Sequence, residues 1–197
     1  MKLDVTNEAQ VKSLVTDLPA DLRNVDVLVN NAGLVVGMDT MENVSTAAFT
    51  LMFDTNVKGL LWVTQAVLPG MKARNSGHVI NISSISGKEV YPGGGPYCAT
   101  KHAVMALTNT LRLELLDSNL RVTSILPGLV ETEFSLVRFS GDQDRAKKVY
   151  EGLDPLHAQD VAETVVFSAN RPPHVQIADI TVFCTKQAGA TTVARSK

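Results

Sequence analysis

The 197 residues are poor in the features that mark several classes of protein. The only two cysteines, Cys98 and Cys184, are far apart and match no CxxC or metal-ligand spacing, so we expect buried thiols in a reducing compartment. The four histidines are equally scattered and form no HExxH pair, which predicts no metal site. With 5% aromatic residues and no run of Lys and Arg, neither nucleic acid nor an anionic membrane surface is an expected partner.

Long apolar runs are also missing. No stretch approaches the roughly 20 apolar residues that a membrane helix needs. The first ten residues lack the apolar core of a signal peptide, and we therefore expect a cytoplasmic chain. Hydrophobic residues make up 45% of the sequence and the formal net charge is -2. This composition predicts one folded domain spanning residues 1–197.

Short β-branched runs alternate along the chain with runs of helical periodicity. This βαβ rhythm predicts an α/β fold, a doubly wound parallel sheet with helices on both faces. The strands, each expected to be buried on both faces, are predicted at residues 25–29, 78–82, 120–126 and 175–183. The helices are predicted after an N-cap at Thr6 and at residues 54–68, 97–116 and 158–169.

Polar or glycine-containing turns follow three of these strands. They are Asn30-Asn31-Ala32-Gly33, Ser83-Ser84 and Pro127-Gly128. In a parallel sheet the ligand crevice lies beyond the carboxyl ends of the strands, so we expect these turns to meet at one rim. The alternative is that they only end the strands, as such turns do in many proteins.

Two predicted helices are apolar on nearly every side, at residues 60–68 and 103–115. A sheet covers only one side of a helix, and a second copy of the chain would cover the other. We therefore expect a homo-oligomer, a dimer or a tetramer. The alternative is a monomer in which additional loops bury these helices.

Tyr97 and Lys101 are four residues apart at the start of a predicted helix, so their side chains share a face. A phenol has a pKa near ~10, and a neighbouring ammonium stabilises the phenolate and lowers that pKa. Tyr97 would then exchange a proton with a carbonyl or alcohol oxygen near neutral pH. A Tyr-Lys pair at this spacing also occurs by chance on helix surfaces, which is the alternative.

Two further polar residues belong to the same rim. Ser84 follows the strand at 78–82, where its hydroxyl could hold the same substrate oxygen as Tyr97. Asn56 is expected to open another helix there, and the alternative for it is an ordinary first-turn or capping residue.

These motifs together resemble the short-chain dehydrogenase/reductase family over nearly the whole chain. The motifs are Asn30-Asn31-Ala32-Gly33, Asn56, Asn81-Ile82-Ser83-Ser84, Tyr97 with Lys101, and Pro127-Gly128-Leu129-Val130-Glu131-Thr132. The stretch from Glu131 to Phe139, with Asp39-Thr40, is similar to the NADP-dependent 3-hydroxy acid dehydrogenases, which also oxidise serine and allo-threonine.

The resemblance implies hydride transfer between a nicotinamide cofactor and a secondary alcohol or ketone, here a small 3-hydroxy acid. It makes Tyr97 the general acid-base, Ser84 the group that polarises the substrate oxygen, and Asn56 the holder of a relay water. Lys101 would lower the pKa of Tyr97 and hold the nicotinamide ribose. The remaining cofactor positions that it implies are Asp4, Asn30, Ala32, Gly33, Pro127, Val130 and Thr132.

The sequence indicates the substrate and the coenzyme less directly than the reaction. A cation should meet the carboxylate of a hydroxy acid, and Arg138 is the candidate. The alternative is that Arg138 is a surface or interface residue. NADP is implied only by the resemblance, and NAD stays open. Another ketone or alcohol also stays open as the substrate.

The 197 residues contain no glycine-rich turn of the kind that binds a pyrophosphate at a helix N-terminus. The stretch from Lys2 to Val5 resembles the end of the family's third strand, so we expect a Rossmann-like sheet without its first two strands. Residues 25–30 would then form an exposed apolar edge, and residues 1 to about 24 would be poorly anchored. The alternative function is a non-catalytic fragment that associates with homologues through its apolar helices.

Overall fold

The computed structural model describes residues 1–196, and a four-stranded parallel sheet forms its centre. The strands lie in the order β1-β2-β3-β6, with β1 at Val27–Asn30, β2 at Gly77–Ile82, β3 at Leu120–Pro127 and β6 at Asp179–Val182. A small parallel pair joins β4 (Val130–Glu131) to β5 (Leu156–His157). The helices are α1 (Glu8–Asp17), α2 (Thr46–Phe53), α3 (Leu60–Arg74), α4 (Gly95–Glu114), α5 (Phe134–Arg138), α6 (Gln143–Lys148) and α7 (Ala158–Ala169).

The predicted α/β fold, a parallel sheet with helices on both sides, is confirmed. The register aligns Asn30 of β1 with Asn81 of β2, and Asn81 with Ser124 of β3. Parallel strands in this register end together, so the turns that follow them reach the same rim of the sheet.

The expectation that every strand is buried on both faces is wrong for the two outer strands. In β1, Leu28 packs against the cluster formed with α3, whereas Val27 and Val29 on the other face are 42% and 39% exposed. An outer strand has one neighbour, and the exposure of Val27 and Val29 shows that residues 1–196 leave one of its faces uncovered. The predicted exposed apolar edge is therefore present.

The main core lies between α3 and the two central strands. It consists of Val67, Met71, Val79, Leu115, Leu120 and Val122, all buried. Each such side chain contributes about 1.5–3 kcal/mol relative to an exposed one. A second cluster, Val35 with Met52 and Tyr97, lies nearer the rim.

The first residues differ from the sequence-based expectation. The N-cap of α1 is Asn7, whose side chain accepts a hydrogen bond from Gln10 N at 3.1 Å, because the Thr6 hydroxyl is already bonded to Asp4. The segment from Lys2 to Val5 forms no strand. Val11 is 1% exposed, with α1 packed on α3, so the expectation of poor anchoring for residues 1 to about 24 is wrong for α1, while most other residues of this range are exposed.

The helix expected from residue 54 is longer and irregular. It begins with α2, capped by the Ser45 hydroxyl, passes through a π-helical turn at Asp54–Gly59, and continues as α3. Asn56 therefore lies inside a helix rather than opening one. A π-helical turn holds an additional residue, and such turns are frequent at functional sites.

Among residues 1–196, no helix is both long and apolar enough to cross a membrane. Over the same residues, no group of three or more His, Cys, Asp and Glu side chains is arranged to hold a metal ion.

Candidate active site

The structure brings Ser84, Tyr97 and Lys101 together at the carboxyl end of β2. Their exposed fractions are 8%, 7% and 7%. The Lys101 Nζ lies 5.8 Å from the centre of the Tyr97 ring, and the Ser84 hydroxyl acts as a hydrogen-bond partner that lowers the pKa of the phenol. A hydroxyl, a phenol and an ammonium thus lie within reach of one small molecule.

The start of α4 explains how Tyr97 reaches the rim. Pro96 lies in the first turn, where its missing N–H leaves no helical hydrogen bond unmade. A β-carbon on Gly94 would lie 2.3 Å from the Tyr91 ring, so that ring can pack there only against glycine. The Gly93-Gly94-Gly95 run therefore accommodates the Tyr91 ring, and α4 begins at its last residue.

The electrostatics of Tyr97 differ from the sequence-based expectation. Burial raises the pKa of the phenol above its ordinary value, against the opposing effects of Ser84 and of the Arg138 charge. Lys101 donates to the Ile82 carbonyl at 2.9 Å, and burial lowers the pKa of its ammonium to about 8. The predicted lowering of the Tyr97 pKa by Lys101 is therefore wrong for this structure, because desolvation of the buried phenolate is the larger effect.

Asn56 joins the turn after β1 to α4. Its Oδ1 accepts from Leu34 N at 2.8 Å, and its Nδ2 donates to Leu34 O at 2.8 Å and to the Thr100 hydroxyl at 3.1 Å. These bonds hold Gly33 close to the cluster, so that a β-carbon there would lie 3.7 Å from Lys101 Nζ. Both amide hydrogens of Asn56 are used, so this side chain has no further N–H to donate.

The side chain of Asn30, at the end of β1, is buried and hydrogen-bonded beneath the rim. It is 8% exposed, and its Nδ2 donates at 2.9 Å to both the Thr64 hydroxyl and Asn81 Oδ1. Asn81 in turn donates to Thr108 at 2.9 Å. The side chain of Asn30 thus belongs to a buried network across the sheet, while Ala32 and Gly33 of the same turn are exposed at the rim.

Gln187 is a residue that the sequence did not single out. It is 6% exposed, and its Oε1 accepts from Leu129 N at 2.9 Å, while its Nε2 donates to Gly189 O at 3.0 Å. A β-carbon on Gly128 would lie 2.1 Å from that Oε1. Gln187 therefore fixes the turn after β3 that joins the two predicted cofactor residues Pro127 and Val130.

Arg138 lies on α5, beside the cluster. It donates from Nε to Gly37 O at 3.3 Å and from an Nη to the Tyr91 hydroxyl at 3.2 Å. Phe134, on the same helix, meets the Tyr97 ring edge-on with centroids 5.7 Å apart. Arg138 is half-buried and bonded, which distinguishes it from the freely solvated residue of the alternative. Tyr91 is another residue that the sequence did not reveal.

Two predicted cofactor residues, Asp4 and Thr132, are more exposed than the Ser84, Tyr97 and Lys101 cluster. Asp4 accepts hydrogen bonds from Thr6 N and the Thr6 hydroxyl at 2.9 and 2.7 Å, which lower the pKa of its carboxyl. Thr132 is exposed at the end of β4 and accepts from Phe134 N at 3.3 Å. Within residues 1–196, no hydrogen bond joins Asp4 to the Ser84, Tyr97 and Lys101 cluster.

Three comparisons relate this chain to known proteins. A family model for short chain dehydrogenases matches residues 1–142. The protein named NADP-dependent 3-hydroxy acid dehydrogenase of Schizosaccharomyces pombe is 42% identical over 197 residues, which is 100% of this chain and 76% of the relative. A protein of the same name from Salmonella typhi is 48% identical over 177 residues, covering 89% of this chain and 71% of the relative.

A solved structure agrees with these relatives. It is the closed form of a serine dehydrogenase complexed with NADP+, with a TM-score of 0.95 at 43% identity, covering 100% of this chain and 80% of that one. Because the family model spans most of the chain and these relatives share over 40% of the aligned residues, the chain belongs to the short chain dehydrogenase family.

Proposed function

We propose that this chain transfers a hydride between NADP(H) and the hydroxyl or keto group of a small 3-hydroxy acid, of the serine, allo-threonine or 3-hydroxypropionate type. The observation that carries the proposal is the grouping of Ser84, Tyr97 and Lys101 in one largely buried cluster. The names of the relatives support the substrate class, and those names, with the NADP+ bound in the solved structure, support NADP over NAD.

Lys101 fits the nicotinamide ribose. Its ammonium is buried, donates one hydrogen bond to Ile82 O, and has no carboxylate within 4 Å among residues 1–196. Two of its three N–H donors therefore remain for ligand hydroxyl groups. Other cofactor contacts are assigned to Asp4, Asn30, Ala32, Gly33, Tyr97, Pro127, Val130 and Thr132. The cofactor, when bound, supplies or accepts the hydride.

The residues of this chain handle the proton and the substrate oxygen. The Ser84 hydroxyl donates a hydrogen bond to that oxygen and holds it against Tyr97. The raised pKa keeps Tyr97 protonated at neutral pH, so its Oη donates a proton when the oxygen of a ketone gains charge. Asn56 keeps the Gly33 turn against Lys101, and Arg138 binds the substrate carboxylate.

The apolar faces of α3 and α4 support a homo-oligomer, a dimer or a tetramer. At the end of α4, Leu113 and Leu116 are 73% and 78% exposed, and Leu61 on α3 is 37% exposed. A second copy of the chain would cover these side chains. Cys98 and Cys184 are both buried and unpaired, which supports a cytoplasmic, reducing location.

Replacing Tyr97 by Phe tests the proposal. With purified protein, 3-hydroxypropionate and NADP+, the Tyr97→Phe variant should lose turnover by ~100-fold or more, while the affinity for NADPH, measured by fluorescence, changes far less because the other cofactor contacts remain. The matched control is Tyr150→Phe, which removes a hydroxyl bonded to Val130 O and Ser135 instead; it should keep most of the turnover.

Retained turnover in Tyr97→Phe would show that Tyr97 is not the acid-base. A native chain that neither binds NADPH nor oxidises any hydroxy acid, but elutes as an oligomer in size-exclusion chromatography with light scattering, would instead favour the non-catalytic associating fragment.

A further inference from the structure

Arg138 is a half-buried cation without an acidic partner. Residues 1–196 contain four ion pairs in which a Lys or Arg nitrogen lies within 4 Å of a carboxylate oxygen. Arg138 takes part in none of them. Its charge nevertheless acts on Tyr97, where it opposes the larger rise in pKa that burial causes. A guanidinium withdrawn from water beside a reacting phenol, and not neutralised by the protein, favours an anionic ligand.

Arg138 is also held in place from two sides. Its Nε donates to Gly37 O at 3.3 Å, and its own carbonyl accepts from Gly37 N at 2.9 Å. An Nη donates to the Tyr91 hydroxyl at 3.2 Å, with the Tyr91 ring 5.6 Å from the guanidinium carbon. The Tyr91 ring is in turn packed against Gly94, where a β-carbon would not fit. The group is therefore oriented before any ligand arrives.

Donor hydrogens remain on both side chains. Arg138 has five N–H hydrogens, and two of its nitrogens bond within residues 1–196, while Nη1 donates to no atom there. The Tyr91 hydroxyl accepts from Arg138, and its own hydrogen is donated to no atom among residues 1–196. An arginine fork with an adjacent hydroxyl matches the two oxygens of a carboxylate.

We propose that Arg138 and Tyr91 together form the carboxylate subsite of the active site, and that Tyr91 is a specificity-determining residue for acids over neutral alcohols. The inference rests on the proposed function, since it names how the same site selects its substrate. The competing explanation is that the pair only ties α5 to the loop at Gly37, in which case stability depends on it and substrate preference does not.

The test compares an acid with its neutral analogue. The ratio of kcat/KM for 3-hydroxypropionate to that for its methyl ester is measured in the native protein and in Arg138→Gln, Arg138→Lys and Tyr91→Phe. The ratio should fall about 30- to 100-fold in Arg138→Gln and about 5- to 10-fold in Tyr91→Phe, as expected for losing a charged and a neutral hydrogen bond. The ratio isolates recognition of the carboxylate, because an effect of the Arg138 charge on Tyr97 acts on both substrates and cancels.

Arg145→Gln is the matched control. Arg145 lies on α6 with its guanidinium carbon 4.4 Å from the centre of the Phe139 ring, the same ring that Arg138 approaches at 5.9 Å. It has no bond to Tyr91 or Gly37 among residues 1–196. Its loss removes one positive charge from the same region and should leave the acid-to-ester ratio unchanged.

Isothermal titration calorimetry measures substrate binding directly and does not require turnover. In the Tyr97→Phe background with NADP+ present, 3-hydroxypropionate should bind, and the added Arg138→Gln change should weaken binding by a similar 30- to 100-fold. If Arg138→Gln does not fold, Arg138→Lys and Tyr91→Phe decide the question in both assays.

The outcomes separate the subsite from the proposed function. An acid preference that survives Arg138→Gln and Tyr91→Phe overturns the subsite and leaves the proposed function in place. Equal use of acid and ester by the native protein overturns both the subsite and the substrate class. If the native protein shows no turnover, the proposed function fails, and calorimetry still decides: binding that depends on Arg138 supports the subsite, and binding that is absent or independent of Arg138 overturns it.

Discussion

His78, in the buried strand β2, should make the protein less stable in mild acid. The side chain is 1% exposed, and its Nε2 lies 2.7 Å from the Thr123 hydroxyl. That hydroxyl donates its single hydrogen to Ile177 O at 2.6 Å, so Nε2 must be the donor toward Thr123. Nδ1 has no partner among residues 1–196. Protonation would therefore bury a charge and an unpaired N–H together.

The size of the effect follows from the pKa. Burial, with a smaller contribution from the Arg121 charge, lowers the pKa of His78 from 6.5 to about 4. Between these values the unfolded chain binds a proton that the folded chain does not, so stability is complete above 6.5 and falls as the pH drops toward 4. The loss is about 1.4 kcal/mol per pH unit, or ~2 kcal/mol at pH 5 and ~3 kcal/mol at pH 4.

Urea unfolding followed by circular dichroism at about pH 7.5 and about pH 5 measures this loss. The native protein should lose ~2 kcal/mol more than His78→Gln between the two conditions, because the variant has no imidazole to protonate. His174→Gln, at an exposed position, should follow the native protein. Equal losses in the native protein and His78→Gln would refute the assignment of a buried neutral imidazole.

Two other predictions concern buried polar groups near the site. Burial lowers the pKa of Lys101 to about 8, so folding favours its neutral form. Between about pH 8 and 9.5, the unfolding free energy of the native protein should therefore rise by ~2 kcal/mol relative to that of Lys101→Met. If the difference between the two proteins does not change with pH, the lowered pKa is contradicted. Gln187→Ala leaves Leu129 N without its acceptor and should cost ~1–3 kcal/mol in urea unfolding while raising the KM for NADP+. The control is Gln176→Ala, which removes a comparable hydrogen bond to Val122 N and should lower stability without changing the KM for NADP+. A similar change of KM in both variants would show that Gln187 does not position the cofactor.

Local signals predicted much of the fold. The helix predicted at residues 158–169 is found as Ala158–Ala169, and Asp160 caps it by accepting from His157 N at 2.7 Å. The spacing of Tyr97 and Lys101 correctly predicted one shared helical face, since four residues make about one turn. These features depend on neighbours in sequence, which a single chain displays directly.

The features that the sequence could not predict depend on distant contacts. The π-helical turn around Asn56 adds one residue to a helix without changing its composition. Gln187 lies nearly sixty residues from the Leu129 N–H that it accepts, and no local pattern joins them. The burial of Tyr97 likewise arises from tertiary packing, for example against Phe134, so the direction of its pKa shift could not be read from its distance to Lys101.

The raised pKa of Tyr97 bears on the direction of the chemistry. A phenol that stays protonated at neutral pH is ready to donate to a ketone oxygen, but taking a proton from an alcohol requires a phenolate in the same desolvated place. The Ser84 hydrogen bond and the Arg138 charge make that phenolate less costly. Binding of an acid at Arg138 would neutralise the Arg138 charge, and proton abstraction would then depend more heavily on the Ser84 hydrogen bond. The Lys101 ammonium lies 5.8 Å from the centre of the ring, and because burial lowers its pKa to about 8, it loses its charge as the pH rises above that value.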